Sequence, residues 1–190
     1  MTAFAPVSGT PARLPLDNVD TDQLIPARFM STPRNEGYGR FLLHDLAAET
    51  PAARLPKGAA ILIAGRNFGC GSSREAAVYA LVDFGIRVAI APSFGDIFAG
   101  NAVNNGLLTI TLEPAEIAAL TGPLTVDLEA QTITCGDRSI PFDIDPVRRL
   151  KLLNGWDDID MTKQYADRIA DFAQKLRTDR PWHFPQQVAR

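Results

Sequence analysis

Three short apolar segments alternate with helical patterns in the middle of the chain. Residues 59–65 are small or β-branched and continuously apolar, which is typical of a strand covered on both faces, and the mainly apolar residues 86–91 and 107–112 are predicted to form two further strands. Between them, apolar residues recur at helical spacing over 73–84, and Ser93 is placed to cap a second, short helix. This alternation of strand and helix predicts a parallel βαβαβ core.

The pattern changes after Pro114. Residues 124–135 and 138–144 alternate apolar and polar side chains, as antiparallel strands do, with a Gly-Asp turn at 136–137. The fold class predicted is therefore α/β, with a parallel core and a smaller antiparallel sheet.

Two helices are predicted towards the C-terminus. One begins at Asp145 and stops before Gly155. The other is an amphipathic helix over 161–177. Its apolar face is made of Tyr165, Ile169, Phe172 and Leu176.

The first part of the chain gives few periodic signals. Residues 11–56 are rich in Pro, Gly and polar side chains and are predicted to form a long irregular segment, which in a compact domain is usually functional. The expected organisation is one domain over 1–190, with a helical tail over 157–190 that is loosely held at its end.

Composition and charge exclude several classes of function. The net charge is −3 and no block of like charges occurs, so neither a nucleic-acid surface nor an anionic-membrane surface is indicated. The first residues do not form a secretory signal, and the apolar runs are far shorter than the roughly 18 residues that span a bilayer. Cys70 and Cys135 have neither metal-site spacing nor a disulfide framework. A cytoplasmic protein is expected.

The loop "NFGCGSSRE" at 67–75 joins the first predicted strand to its helix. It lacks the Gly-Lys-Ser/Thr ending of a P-loop and the spacing of a dinucleotide fingerprint, so nucleotide binding is poorly supported. Ser72 and Glu75 have the spacing of a capping box, a common way to begin a helix. The cap hypothesis leaves Arg74 and the run of three glycines (Gly65, Gly69 and Gly71) without a reason.

A catalytic hypothesis uses all of these residues. Glycines allow the backbone to approach a ligand, and the amides at a helix start stabilise negative charge. Arg74 offers a planar fork for a carboxylate. This combination suits a dicarboxylate substrate and a serine that exchanges a proton. A Ser-His-Asp hydrolase is not supported, because His44 and His183 are the only histidines and neither has a serine nucleophile context.

Three separated motifs carry a family resemblance. They are "LDNVDTDQLIPARF" at 16–29, "NFGCGSSRE" with the following "DFGIRVAIAPSFGDIF" and "NNGLL", and "LLNGWDDI" at 152–159. In these motifs the chain resembles the small subunit of 3-isopropylmalate dehydratase, the equivalent of the swivelling fourth domain of aconitase. The resemblance runs in order along nearly the whole chain and implies a swivelling β/β/α domain.

The resemblance also implies a function. The family isomerises 2-isopropylmalate and 3-isopropylmalate by dehydration and rehydration in leucine biosynthesis, and it acts as a heterodimer. By this resemblance, Ser72 is expected to be the base. Ser73 and Arg74 are expected to bind a substrate carboxylate, and Asp22 is expected to be an acidic active-site residue.

The cofactor implied by the resemblance is a 4Fe-4S cluster on the large subunit, whose open iron holds the substrate hydroxyl and a carboxylate. No cofactor or metal is expected on this chain itself. Its two cysteines cannot supply the three protein thiolates that such a cluster needs.

The chain departs from the family pattern near the substrate. It has "AAVY" at 76–79 where the family usually has His-Ala-Pro-Trp, and a distinctive Gly-rich loop at 31–41, here called the substrate loop. This loop is expected to be mobile without the large subunit. Arg34 within it either reads a substrate charge or is a solvated surface residue. Two alternatives therefore stay open. One is the same chemistry on another alkyl- or methyl-malate or on homoaconitate, and the other is a non-catalytic binding module.

Overall fold

The structure is a computed structural model that describes residues 1–184. Eight strands lie in that range: β1 (Val7–Gly9), β2 (Ala12–Leu14), β3 (Ile61–Ala64), β4 (Val88–Ala91), β5 (Leu108–Thr111), β6 (Leu124–Asp127), β7 (Thr132–Cys135) and β8 (Arg138–Pro141). The same range holds eight α-helices: α1 (Thr21–Leu24), α2 (His44–Glu49), α3 (Glu75–Phe84), α4 (Asp96–Asn104), α5 (Pro114–Ala119), α6 (Pro146–Asn154), α7 (Asp158–Lys163) and α8 (Ala166–Asp179).

A parallel sheet forms the centre of the fold. Its strands stand in the order β2-β3-β4-β5, and each neighbouring pair is parallel. Every residue of β3 and β4 is buried, as expected of parallel strands covered on both faces. The predicted core of three parallel strands is confirmed, and β2 adds a fourth strand that the pattern did not predict.

Helices α3 and α4 connect the central strands, and both begin later than predicted. The α3 helix begins at Glu75 and ends at Phe84, and the φ of 117° at the following Gly85 is in the left-handed region that favours glycine. The cap predicted at Ser93 is wrong, because Gly95 is the residue that precedes α4. The Ser93 hydroxyl instead accepts the backbone N–H of Asn67 at 2.9 Å, which links it to the loop after β3.

A separate antiparallel sheet has the order β1-β6-β7-β8. The predicted turn between β7 and β8 is confirmed, with φ of 58° at Gly136. Strand β1, which pairs with β6, was not predicted.

Alternate residues of β3 enter two hydrophobic cores. Leu62 and Ala64 belong to a core that includes buried residues of α1, α3 and α4. Ile61 and Ile63 belong to a second core shared with the antiparallel sheet, α5 and α6. The parallel sheet is thus the middle layer, and the predicted fold class is confirmed.

The prediction of one long irregular segment over 11–56 is wrong. The segment holds β2, α1, α2 and 3-10 turns at Ala27–Ser31, Arg34–Glu36, Gly39–Phe41 and Pro51–Ala53. None of these elements exceeds 6 residues, which is too short for a hydrophobic period to show. Tertiary contacts hold them, such as the bond from the Leu43 N–H to the Leu24 carbonyl at 3.0 Å.

The chain divides into two compact units at the predicted start of the tail. The first is Met1–Trp156 and the second is Asp157–Arg190. In the first, α6 is capped by Asp145, whose carboxylate accepts two backbone N–H bonds at 3.0 Å, and Gly155 ends it as predicted. That one domain spans 1–190 stays a prediction.

Within the second unit, the single helix predicted over 161–177 is two helices, α7 and α8, separated by a turn at 164–165. Large apolar side chains of the predicted apolar face are exposed: Tyr165, Ile169 and Phe172. Residues 185–190, part of the tail predicted to be loosely held, lie outside the described residues.

Candidate active site

Three loops meet at the carboxyl ends of β2, β3 and β4, the edge where parallel sheets bind ligands. Main-chain bonds hold them together: Gly69 N–H to Val19 O (2.8 Å), Thr21 N–H to Cys70 O (3.0 Å), Phe68 N–H to Ser93 O (3.1 Å) and Gly95 N–H to Phe68 O (3.0 Å). The motifs at 16–29 and 67–75, distant in sequence, therefore form one surface.

Two of the three glycines after β3, Gly65 and Gly69, are required by packing, whereas Gly71 has a φ of 93°, in the left-handed region that favours glycine. A Cβ on Gly65 would lie 2.2 Å from the Leu16 carbonyl oxygen. A Cβ on Gly69, whose φ is 73°, would lie 2.3 Å from the ring of Phe98. The sequence suggested that these glycines admit a ligand, and the structure gives them a different reason: they admit the neighbouring protein segments.

Ser72 is exposed and is held by a buried threonine. Its hydroxyl lies 3.0 Å from the Oγ1 of Thr21, and either oxygen can be the donor. The Thr21 hydroxyl is also within 3.2 Å of the Ser72 carbonyl oxygen, to which it can donate. Thr21 is only 1% exposed. The loop at 67–75 therefore has a buried contact beneath the accessible Ser72.

The capping-box hypothesis for Ser72 is wrong. The α3 helix begins at Glu75 with Arg74 as its N-cap, and no side chain caps it. The Glu75 carboxylate instead accepts a bond from Asn105 Nδ2 at 2.7 Å. The first amides of α3 and the positive end of its dipole are therefore left without a side-chain partner.

Arg74 and Asp22 form an ion pair next to these serines. The Arg74 side chain is 25% exposed and that of Asp22 is 57% exposed, so the pair lies at the surface of the site. Ser73, between Ser72 and Arg74, is exposed. Four of the five predicted site residues thus come from two neighbouring segments.

Two family models match consecutive parts of the chain. The family described as Aconitase C-terminal domain matches residues 1–115, and the family described as LeuD_N matches residues 115–146. A 3-isopropylmalate dehydratase small subunit of Rhodospirillum centenum is 44% identical, over 96% of this chain and 98% of its own. The chain belongs to the 3-isopropylmalate dehydratase small-subunit family.

Further relatives of this family agree. Small subunits of Cereibacter sphaeroides and Caulobacter vibrioides are each 42% identical over 96% of this chain, covering 100% and 98% of their own. A crystal structure of 3-isopropylmalate dehydratase from Methanocaldococcus jannaschii has a TM-score of 0.68 at 27% identity. It covers 90% of this chain and 99% of its own. The resemblance seen in the motifs is confirmed.

Arg34, the fifth predicted site residue of this family member, lies elsewhere. Its guanidinium binds Asp83 at 2.7 Å and 3.0 Å, near the end of α3. Asp83 is eight residues after Glu75, or about 12 Å along the helix at 1.5 Å per residue. Ser72 precedes the other end of α3. The contacts of Arg34 are therefore with Asp83 and with the ring of Tyr79, and not with the serines.

Tyr79 occupies the same helix between these ends. The pKa of Tyr79 is raised, first by burial and then by its hydrogen bond with Glu75. The phenol is thus neutral at physiological pH.

The described residues contain no arrangement that would hold an iron-sulfur cluster. Over residues 1–184, no group of three or more His, Cys, Asp or Glu side chains is arranged to hold a metal ion. Both cysteines are free, and Cys135 is buried. The residues present do not fit an iron-sulfur cluster. In the same range no helix is both long and apolar enough to cross a membrane.

Two residues with clear contacts were missed by the sequence reasoning. Thr21 lies inside the "DTDQ" motif, so the motif itself was a usable signal. Asp83 begins the "DFGIRVAIAPSFGDIF" motif, but only the fold reveals its contact with Arg34.

Proposed function

We propose that this chain is the small subunit of an enzyme that interconverts 2-isopropylmalate and 3-isopropylmalate in leucine biosynthesis, with Ser72 as the proton-transferring base. Relatives of this name match over nearly the full length of the chain. The observation that carries the residue assignment is the exposed Ser72 hydroxyl, bonded to buried Thr21 at 3.0 Å and placed before an uncapped helix. A cytoplasmic location belongs to this proposal.

Ser72 would accept the proton from the carbon next to the one that loses hydroxide. The product is an alkene, and return of the same proton to the other carbon accompanies addition of water with the opposite orientation. An alkoxide on Ser72 needs stabilisation. The Thr21 hydroxyl can provide it by donating to Ser72 Oγ, and the positive end of α3 adds favourable electrostatics.

Arg74 and Ser73 would bind a substrate carboxylate. Arg74 has five N–H donors, so it can hold Asp22 and still offer donors to a second carboxylate. In this role Asp22 orients the guanidinium. Ser73 is exposed beside it and can donate its hydroxyl.

The partner would be the large subunit. The serines face outward, and the chain does not fit the cluster that the family uses, so the 4Fe-4S cluster belongs to the partner in this proposal. When bound there, the cluster supplies the group that receives the substrate hydroxyl. The small dicarboxylate would be enclosed between the two chains.

The test is Ser72→Ala in the co-purified pair. We expect kcat for 3-isopropylmalate to fall by on the order of 10² or more while partner binding persists. Because Ser72 is not a helix cap, stability should change by less than about 1 kcal/mol. The control is Ser139→Ala, which removes an exposed serine of β8 and should leave kcat unchanged.

Two results would count against the proposal. Near-normal kcat in a folded, partner-bound Ser72→Ala variant would remove the base assignment. Stoichiometric iron on the isolated chain would remove the assignment of the cluster to the partner. A panel of malate derivatives in the same assay would identify another substrate if 3-isopropylmalate is not turned over.

A further inference from the structure

Glu75 is the first residue of α3 and directly follows Arg74 of the proposed site. Two donors hold its carboxylate. Asn105 Nδ2, at the end of α4, donates to Glu75 Oε1 at 2.7 Å, and the Tyr79 hydroxyl, one turn along α3, also hydrogen-bonds with Glu75. A second bond, from Asn105 Nδ2 to the Asn101 carbonyl at 2.9 Å, fixes the direction in which this amide points. The carboxylate therefore faces the end of α4.

The sequence also offers this carboxylate a different arrangement. Ser72 and Glu75 have the spacing of a capping box, in which the serine hydroxyl accepts the glutamate N–H and the glutamate carboxylate accepts the serine N–H. None of the described side chains caps α3, and Ser72 Oγ lies 3.0 Å from Thr21 Oγ1 instead. The positive end of a helix also attracts carboxylates. A released Glu75 would therefore have a favourable alternative at the start of its own helix.

The capping box would remove the properties on which the proposed site depends. It would direct the Ser72 hydroxyl at the start of α3 and place the Glu75 carboxylate beside it. A negative charge there opposes formation of an alkoxide on Ser72, and it repels a substrate carboxylate that approaches Arg74. The proposed site therefore requires that Glu75 be held elsewhere.

We propose that Asn105 and Tyr79 are positioning residues for Ser72. By holding the Glu75 carboxylate away from residue 72, they keep the Ser-x-x-Glu sequence from closing into a capping box. Ser72 then stays exposed beside an uncapped helix. The effect on turnover rests on the proposed function, whereas the choice between the two arrangements can be measured in the chain without its partner.

The test removes both donors, in Asn105→Ala/Tyr79→Phe, with and without the further change Glu75→Ala. Phenylalanine keeps the ring of residue 79 under Arg34. The control is Asn101→Ala, which removes an amide side chain from α4 but keeps the backbone carbonyl that Asn105 uses. The kcat/KM for 3-isopropylmalate is measured in the pair with the large subunit. Exchange of the amide hydrogen of residue 75 is measured by NMR in the full chain alone.

We expect Asn105→Ala/Tyr79→Phe to lower kcat/KM by roughly tenfold or more, because molecules in the capped arrangement are not competent. The amide hydrogen of residue 75 should exchange roughly tenfold more slowly, because Ser72 Oγ then accepts it. Adding Glu75→Ala should reverse the slower exchange and restore kcat/KM to within about threefold of wild type, since the box then lacks its carboxylate. Each single variant should show the same changes in smaller size, and Asn101→Ala should show neither.

Rescue by Glu75→Ala separates this proposal from a contact between α3 and α4 that only supports the fold. If support were the whole role, the triple variant would be no more active than the double variant, and that result would overturn the proposal. Wild-type exchange at residue 75 in the double variant would also overturn it, as would slower exchange with an unchanged kcat/KM.

Failure of the proposed function would be seen separately, as a wild-type pair that does not turn over 3-isopropylmalate. The exchange measurement then decides alone. Slower exchange in the double variant, reversed by Glu75→Ala, would still support the positioning of Glu75 by Asn105 and Tyr79. Unchanged exchange would overturn it.

Discussion

Replacing Gly65 by alanine should destabilise the protein through a steric conflict alone. Gly65 does not have a positive φ, so an alanine would not be strained in its own backbone. Its Cβ would lie 2.2 Å from the Leu16 carbonyl oxygen and 2.5 Å from the Leu16 carbonyl carbon. Ordinary contacts to carbon are about 3.5 Å. The two segments would therefore have to separate by roughly 1 Å.

The cost follows from what such a shift disturbs. Overpacking costs about 1–3 kcal/mol. The separation would also weaken the bonds from Arg66 N–H to Asp17 Oδ1 (2.7 Å) and from Asn18 N–H to the Arg66 carbonyl (2.8 Å), each worth about 1 kcal/mol. Alanine lowers the conformational entropy of the unfolded chain, which offsets about 0.4–1 kcal/mol of this destabilisation. The net loss expected is about 2–3 kcal/mol.

Gly100→Ala is the matched control. Gly100 lies within α4, and a Cβ there would meet nothing within 4 Å. Alanine should stabilise this helix by about 0.5–1 kcal/mol. The same chemical change at two sites is thus expected to have opposite signs.

Urea unfolding followed by circular dichroism measures both variants. With an m-value of about 2 kcal/mol/M, Gly65→Ala should lower the midpoint by about 1 M and Gly100→Ala should raise it by a few tenths. If Gly65→Ala unfolds at the wild-type urea midpoint, the contact between Leu16 and Gly65 does not constrain the loop after β3.

Two further predictions concern single side chains. Thr21→Val keeps the buried shape of the side chain but removes both of its bonds to Ser72. The kcat should therefore fall by roughly tenfold with little change in KM. An unchanged kcat would contradict the proposal that Thr21 stabilises the Ser72 oxygen. The pKa of Asp45 is lowered in the folded protein, first by its bond with Arg28 and then by its bond with His44. The ionised Asp45 carboxylate therefore stabilises the folded protein above pH about 4, and this stabilisation is lost as the pH falls below that value. Asp45→Asn should therefore be less stable than wild type at pH 6, and urea midpoints should converge as pH is lowered; a gap that stays constant would oppose this.

The central strands could be predicted because burial on both faces leaves a signal in a single stretch of sequence. The strand β3 is apolar at every position, and so is β4. Strands β1 and β2 have three residues each, and their place in the sheets is decided by partners far along the chain. Three residues do not establish an alternating pattern.

The site was predicted in part for a similar reason. Ser72, Arg74 and Asp22 lie in motifs, so the sequence indicates them directly. The pattern Ser-x-x-Glu cannot show which residue is the N-cap of the helix. The helix begins at Glu75, and Arg74, in an extended conformation with ψ of 102°, is the N-cap. The partner of Arg34 lies 49 residues away, and only the packing of the substrate loop on α3 determines it.

The joining of the loops by main-chain atoms has a consequence for recombining this chain with its relatives. Backbone N–H and carbonyl groups are common to nearly all residues, so the bonds between 19–21 and 69–70 should survive when the segments come from different parents. The exchange is expected to fail where shape is specified, as at Gly65 against Leu16, at Gly69 against Phe98 and at Gly39 against the backbone of Asp83. A crossover between residues 30 and 60 should therefore give folded hybrids as long as these three glycines are kept.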